Sequence, residues 1–237
     1  MKVARFAQLF DHSCIKPETT RETVLQAAHT AIELQTATLT VQPHYIEPVK
    51  PILAGSGVLL GTVIGFPHGN ETPAMKEAMA KIAIDLGAEE IDMVMNIPAL
   101  KNGEREVFQQ DVAGVVQAAG GSKVKVITEN YYLSDEEKTR ACQWIADAGA
   151  HFVKTSTAYA AGAATVEDVR LMQQAVAGRC LVKAAGGIRQ IEEVLDYLRA
   201  GAIRFGSTRT GQFVESFHEL PPEQKKAYAE FIDDIES

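Results

Sequence analysis

Short apolar runs rich in β-branched residues alternate along this chain with longer segments whose apolar positions recur every three or four residues. The first pattern predicts buried strands and the second predicts amphipathic helices. A short helix is expected over residues 3–9, then a strand or extended turn over Phe10-Asp11-His12-Ser13-Cys14-Ile15, ended by Pro17. Thr19-Thr20-Arg21-Glu22 has capping-box spacing, and apolar residues at 24, 25, 28, 32 and 34 form the helical stripe behind it. Ala37 to Val41 reads as a strand, 44–54 as a helix, and Gly57 to Phe66 as a strand. Thr72 before Pro73 is an N-cap with proline in the first helical position, opening a helix to about Leu86. Residues 87–94 form the next strand, 103–119 a helix and 123–128 a strand; Ser134 to Glu137 is a second capping box, for a helix to about Ala148. A strand around Lys154, a helix opened by Thr165, a strand around Lys183, a helix over 190–200 and a strand over 201–206 complete the alternation. Pro221-Pro222 starts a final helix over about 222–235.

Strands joined by helices are parallel, and about eight such units fit a closed (β/α)₈ barrel. An open doubly wound sheet is the other architecture of this pattern, but it ordinarily carries a GxGxxG turn after its first strand, and this chain has none there. No low-complexity linker marks a boundary, so residues 1–237 are expected to form a single barrel domain with a short N-terminal helix and an extra C-terminal helix. A repeat refines the pattern. Gly87, Gly149 and Gly201 each follow a helix, and Asp92, Lys154 and Gly206 stand five residues after them. These positions share a place near the carboxyl end of a strand, where barrels of this kind build their sites.

Composition narrows the function. With a formal charge of −8 and a pI near 5.3, neither nucleic acid nor an anionic membrane is the expected partner. The three cysteines are scattered, and the N-terminus has no signal-like apolar stretch, which points to a reducing cytoplasm. The six histidines show no metal-binding spacing, so neither a metal nor any other cofactor is expected.

The candidate chemistry lies in two lysines. Lys154 sits within Phe152-Val153-Lys154-Thr155-Ser156-Thr157, and Lys183, 29 residues on, within Leu181-Val182-Lys183-Ala184-Ala185. Each could simply reach from a strand end to solvent. Two inward lysines on neighbouring strands would instead lower each other's pKa, and a neutral lysine amine can form a Schiff base with a carbonyl. Asp92, buried in Ile91-Asp92-Met93, is the matching carboxylate, able to pair with the lysines or to move protons. Glu129 reads as an orienting or solvated group. Gly186-Gly187 with Arg189 at the next helix start, and Gly206-Ser207-Thr208-Arg209 after the last strand, are candidate phosphate cradles.

Together, Phe10 to Pro17, Val63 to Gly69, Glu90 to Asn96, Val153 to Thr157 and Val182 to Arg189 resemble the signatures of the deoxyribose-phosphate aldolase family, in the same order over about residues 6–211. The resemblance implies a class I, metal-free aldolase that cleaves 2-deoxy-D-ribose 5-phosphate to acetaldehyde and glyceraldehyde 3-phosphate. It implies Lys154 as the Schiff-base lysine, Lys183 as the lysine that lowers its pKa, and Asp92 as the proton-moving carboxylate. This chain departs from the family pattern at Thr40, at Val41-Gln42-Pro43, at Asn130, at Ala158-Tyr159 where glycine usually follows the Thr-Ser-Thr, at Arg209, and at its Ile235-Glu236-Ser237 end, where some members have a tyrosine. These changes leave a different phosphorylated or otherwise anionic sugar, or a non-catalytic sugar-phosphate-binding protein, as alternatives. A homodimer is compatible with a barrel of this kind.

Overall fold

The computed structural model describes residues 3–232. Its eight parallel strands close into one barrel in sequence order: β1 (Phe10–Cys14), β2 (Thr38–Val41), β3 (Leu59–Ile64), β4 (Glu90–Val94), β5 (Lys123–Ile127), β6 (Phe152–Lys154), β7 (Leu181–Ala185) and β8 (Ala202–Ser207). The helices are α1 (Val3–Ala7), α2 (Arg21–Leu34), α3 (Ile46–Leu53), α4 (Pro73–Leu86), α5 (Ile97–Asn102), α6 (Arg105–Ala118), α7 (Asp135–Asp147), α8 (Val166–Val176), α9 (Ile191–Ala200), α10 (Thr210–Glu219) and α11 (Pro222–Ile232). The expected barrel is therefore the observed one, and the open sheet is excluded by the β1–β8 pairing, in which Phe10 is registered with Phe205.

Local chemistry explains where the helices begin. The side chains of Thr72, Ser134 and Thr165 accept hydrogen bonds from the N–H groups of Met75, Glu137 and Asp168, satisfying donors that have no partner inside the helix. Ser134 and Glu137 form the reciprocal capping box expected from their spacing. At α2 the cap is Thr20, which accepts from Thr23, rather than the expected Thr19–Glu22 pair, because Thr20 holds the extended backbone that precedes the first turn. Two helices were not legible as periodic stripes. α5 is a single short segment, capped by Asn96 and stopped by Gly103. α10 fills the stretch after β8 with Phe213, Val214 and Phe217 turned inward. The end of the expected 222–235 helix lies outside the described residues beyond Ile232.

The strands bury two different faces. Leu39, Leu60, Ile91, Met93, Val124, Val126, Val153, Val182 and Phe205 form an apolar layer against the helices. At roughly 25 cal/mol per Å² of apolar surface removed from water, this layer is the main stabilising element. The alternate positions carry Asp11, Thr38, Thr40, Glu90, Asp92, Lys125, Lys154 and Lys183, all buried. The barrel interior is thus polar and charged, and buried ion pairs contribute little net stability once desolvation is counted.

Candidate active site

Strand register brings the charged residues together. Asp92 is registered with Lys125 across β4–β5, Ile127 with Lys154 across β5–β6, and Lys154 with Lys183 across β6–β7. Neighbours in register on parallel strands point to the same side, so the two lysines of the sequence reading face one interior. Asp92 Oδ2 accepts hydrogen bonds from Lys154 Nζ and Lys183 Nζ, both at 2.7 Å. Its Oδ1 accepts from Lys125 Nζ at 3.0 Å. Lys183 Nζ also donates to Asp11 Oδ2, and Asp11 Oδ1 accepts from Arg204 Nη1 at 2.9 Å. Beneath them, Lys125 Nζ lies 2.5 Å from Glu90 Oε2.

The lysines differ in their surroundings. Among the described contacts, Lys154 has one carboxylate partner, whereas Lys125 faces Asp11, Glu90 and Asp92. Burial lowers the Lys154 pKa to about 8; Asp92 opposes this, and the charges of Lys183 and Lys125 add to it. Loss of hydration is thus the larger cause of the shift, and like-charge repulsion between the lysines a smaller one. Burial would lower Lys125 too, but its three carboxylates hold it above the ordinary lysine range. Burial would raise Asp92, yet Lys125, Lys154 and Lys183 keep it ionised, well below the usual carboxylate range. Once Lys154 gives up its proton, above pH about 8, the cationic side chains of Lys125, Lys183 and Arg204 face Asp11, Glu90 and Asp92. A fourth cation would leave the buried cluster with unbalanced charge, which a low-dielectric interior penalises.

A cleft of ≈ 430 Å³ opens above the cluster at the carboxyl ends of the strands. Lys154 lines it, while Asp92 and Lys183 stand behind Lys154 and are not among the lining residues. Gly186, Gly187 and Arg189 contribute to its wall. So do Gly206, Ser207, Thr208 and Arg209, so both expected cradles meet in one space with the lysine. Gly186 and Gly187 hold φ values of +88° and +81°, a backbone that side chains rarely adopt. A Cβ on Gly206 would lie 3.3 Å from Lys183 Cε, so glycine there also leaves room for the second lysine. One expected feature is altered. Glu193 Oε2 accepts from the N–H groups of Arg189 (2.6 Å) and Gln190 (2.8 Å), so the start of α9 is already capped by a carboxylate. The glycine turn, rather than that helix end, remains open to an anion.

Glu129 is the orienting group of its two readings, not the solvated one. It is buried with a left-handed backbone, and its Oε2 accepts from both the N–H and the hydroxyl of Thr157. Asp11, Glu90, Lys125 and Arg204 were not singled out from the sequence. Their signal is a charge at every second position of an otherwise apolar strand, as in Glu90-Ile91-Asp92 and Lys123-Val124-Lys125. Among the described residues no three His, Cys, Asp or Glu side chains are grouped to hold a metal ion.

Residues 5–212 match the model of the DeoC/LacD family aldolases. The chain is 46% identical over 209 residues to a deoxyribose-phosphate aldolase of Staphylococcus epidermidis, covering 88% of this chain and 95% of that protein. It is 44% identical over 209 residues to one of Macrococcus caseolyticus, with the same coverage. Among solved structures, the tetrameric deoxyribose phosphate aldolase of Aeropyrum pernix superposes with a TM-score of 0.84 at 29% identity, covering 93% of this chain and 94% of that one. Mandelate oxidase, at 20% identity and a TM-score of 0.60, shares only the barrel. With a closed barrel, a buried lysine beside an open cleft and relatives of nearly the same length, the chain belongs to the DeoC/LacD family of aldolases.

Proposed function

We propose that this aldolase cleaves 2-deoxy-D-ribose 5-phosphate reversibly to acetaldehyde and D-glyceraldehyde 3-phosphate through a Schiff base on Lys154. The observation that carries the reading is the Lys154 amine, which lines the cleft with its pKa lowered to about 8 and 2.7 Å from Asp92 Oδ2. A neutral amine is the nucleophile that carbonyl chemistry needs.

Lys154 Nζ adds to the C1 aldehyde of the open-chain sugar, and loss of water leaves a protonated imine. The imine draws electrons from the C2–C3 bond. As that bond breaks, the C3 hydroxyl gives up its proton and glyceraldehyde 3-phosphate departs, leaving an enamine on Lys154. Protonation at C2 and addition of water then release acetaldehyde and restore the amine. Asp92 Oδ2 touches both amino groups, so it orients Lys154, offsets the positive charge of the imine and lies in the path of protons exchanged between Lys154 and Lys183. Lys183 adds positive charge beside Lys154 and helps it to give up its proton before attack. The turns of Gly186-Gly187 and Gly206-Ser207-Thr208, with Arg189 and Arg209, would receive the phosphate.

Borohydride reduction in the presence of deoxyribose 5-phosphate, followed by peptide mass spectrometry, tests this. An adduct on Lys154 is expected; an adduct on another lysine, or none, overturns it. Arg209 favours a second reading at the level of substrate. Its exposed side chain lines the cleft, so another anionic sugar could be preferred, which comparative turnover of sugar phosphates decides.

A further inference from the structure

Tyr159 stands at the cleft and is its one aromatic lining residue. It follows β6, yet its contacts lie on the far side of the barrel. Its hydroxyl donates to the carbonyl of Ile15, just after β1, at 3.0 Å. Its ring meets that of Phe66, just after β3, edge to face at 5.2 Å. In a closed barrel of eight strands in sequence order, β6 is three strands from β1 in one direction and three from β3 in the other. A side chain that starts at β6 and touches both loops crosses the mouth of the barrel.

The side chain is also held from below. Tyr159 N–H donates to Thr157 Oγ1 at 3.0 Å, and Thr157 is itself bound to Glu129. Ala158 N–H donates to Ser156 Oγ at 2.9 Å while Ala158 takes a left-handed φ of 66°. A non-glycine residue there costs about 1 kcal/mol, an expense that local hydrogen bonds and the fixed tyrosine offset. Tyr159 is thus 41% exposed and yet pinned at its backbone, ring and hydroxyl.

The cleft respects this crossing. Every residue that lines it belongs to β1, β6, β7 or β8 or to the loops that follow them; none comes from β2 to β5 or their loops. We propose that Tyr159 is a specificity-determining residue, a wall that divides the mouth of the barrel and limits the donor aldehyde to a two-carbon unit. The inference rests on the Lys154 Schiff-base reading. The phosphate occupies the turns after β7 and β8, and the imine forms on β6. The donor end of the substrate therefore points away from β7 and β8, towards the half of the mouth that the Tyr159 ring closes. An added methyl group on the donor meets that ring. Without the ring, the methyl group gains the space over β3 to β5.

The test is aldol addition to glyceraldehyde 3-phosphate with acetaldehyde or propanal as donor, comparing kcat/KM for the two donors in wild type, Y159A and Y159F. One methylene in a closed pocket is worth about tenfold or more in discrimination, so Y159A is expected to raise the propanal-to-acetaldehyde ratio about tenfold. Y159F keeps the ring and loses the bond to Ile15, and is expected to raise it about threefold by loosening the wall. An unchanged ratio in Y159A, or in Y159F if the alanine variant does not fold, overturns the proposal. Borohydride trapping of acetaldehyde on Lys154 is read in the same proteins. Failure of trapping in wild type counts against the Schiff-base reading, whereas normal trapping with an unchanged donor ratio counts against the wall alone.

Discussion

The Lys154 amino group lies 2.7 Å from Asp92 Oδ2, an oxygen that also accepts from Lys183 Nζ at 2.7 Å. One carboxylate oxygen cannot fully compensate two ammonium groups in a buried interior. Lys183 has a second partner in Asp11, and among the described contacts Lys154 has none beyond Asp92. Lys154 therefore gives up its proton more readily than an ordinary lysine, with burial as the main cause.

Its pH dependence follows. Below pH about 8 the Lys154 amine is protonated and cannot attack; above it the amine is free. The rate of borohydride-trapped adduct formation with acetaldehyde is expected to rise through pH about 8 and then level. A midpoint near the ordinary lysine value of 10.5 would show that burial does not tune this group.

The same shift carries a stability effect of opposite benefit. Between pH about 8 and 10.5 the unfolded chain holds a proton on Lys154 that the native state has released, so stability rises with pH across that window and the full penalty stands below it. Lys154→Met removes the titrating group and leaves Asp92 paired with Lys125 and Lys183. The variant is expected to lose all trapping at this position while its melting temperature at pH 7 rises, as read by calorimetry. A lower melting temperature would contradict the account.

Asp11 is expected to be a structural necessity of the site. It is fully buried among Lys125, Lys183 and Arg204, and its removal leaves these three cations short of a counter-charge. Asp11→Asn is expected to cost about 3–5 kcal/mol in denaturant unfolding. A loss under 1 kcal/mol would show that water or rearrangement takes over its role.

The glycine turn is testable without touching the lysines. Gly187 has φ +81°, and a Cβ there would run into the Cβ of Ala163. Gly187→Ala is expected to raise KM for the phosphorylated sugar about tenfold or more, since displaced backbone N–H groups no longer converge on the anion. Trapping of acetaldehyde, which has no phosphate, should persist; loss of both would mean that the turn supports the whole site.

Arg209→Ser probes the remaining question of substrate. Loss of one charge-assisted contact is expected to change KM among anionic sugars about tenfold. The pH midpoint of trapping should stay in place, because Arg209 lies outside the Lys154 cluster. Unchanged preference among phosphorylated and carboxylated substrates would remove Arg209 from recognition.

The linear chain already specified the alternation of eight strands with helices, because apolar period and cap chemistry are local properties. It also picked out Lys154, Lys183 and Asp92, since a charge inside a β-branched run stands out against its neighbours, and the common five-residue offset from Gly87 and Gly149 placed Asp92 and Lys154 at one level. Asp11, Glu90, Lys125 and Arg204 escaped notice because each looks like an ordinary surface charge until register turns it inward. Only barrel closure, which pairs β8 with β1, sets Asp11 against Lys183 and Arg204 across nearly the whole length of the chain. The helix after β8 was likewise unreadable as a stripe, and its Phe213 and Phe217 acquire a purpose only when they pack against Phe10 and Phe6. The proton affinity of Lys154 is the clearest case. Its identity as an odd lysine was local, but the pKa of about 8 results from burial and from three charges on other strands, Asp92, Lys183 and Lys125, and those are properties of the closed barrel.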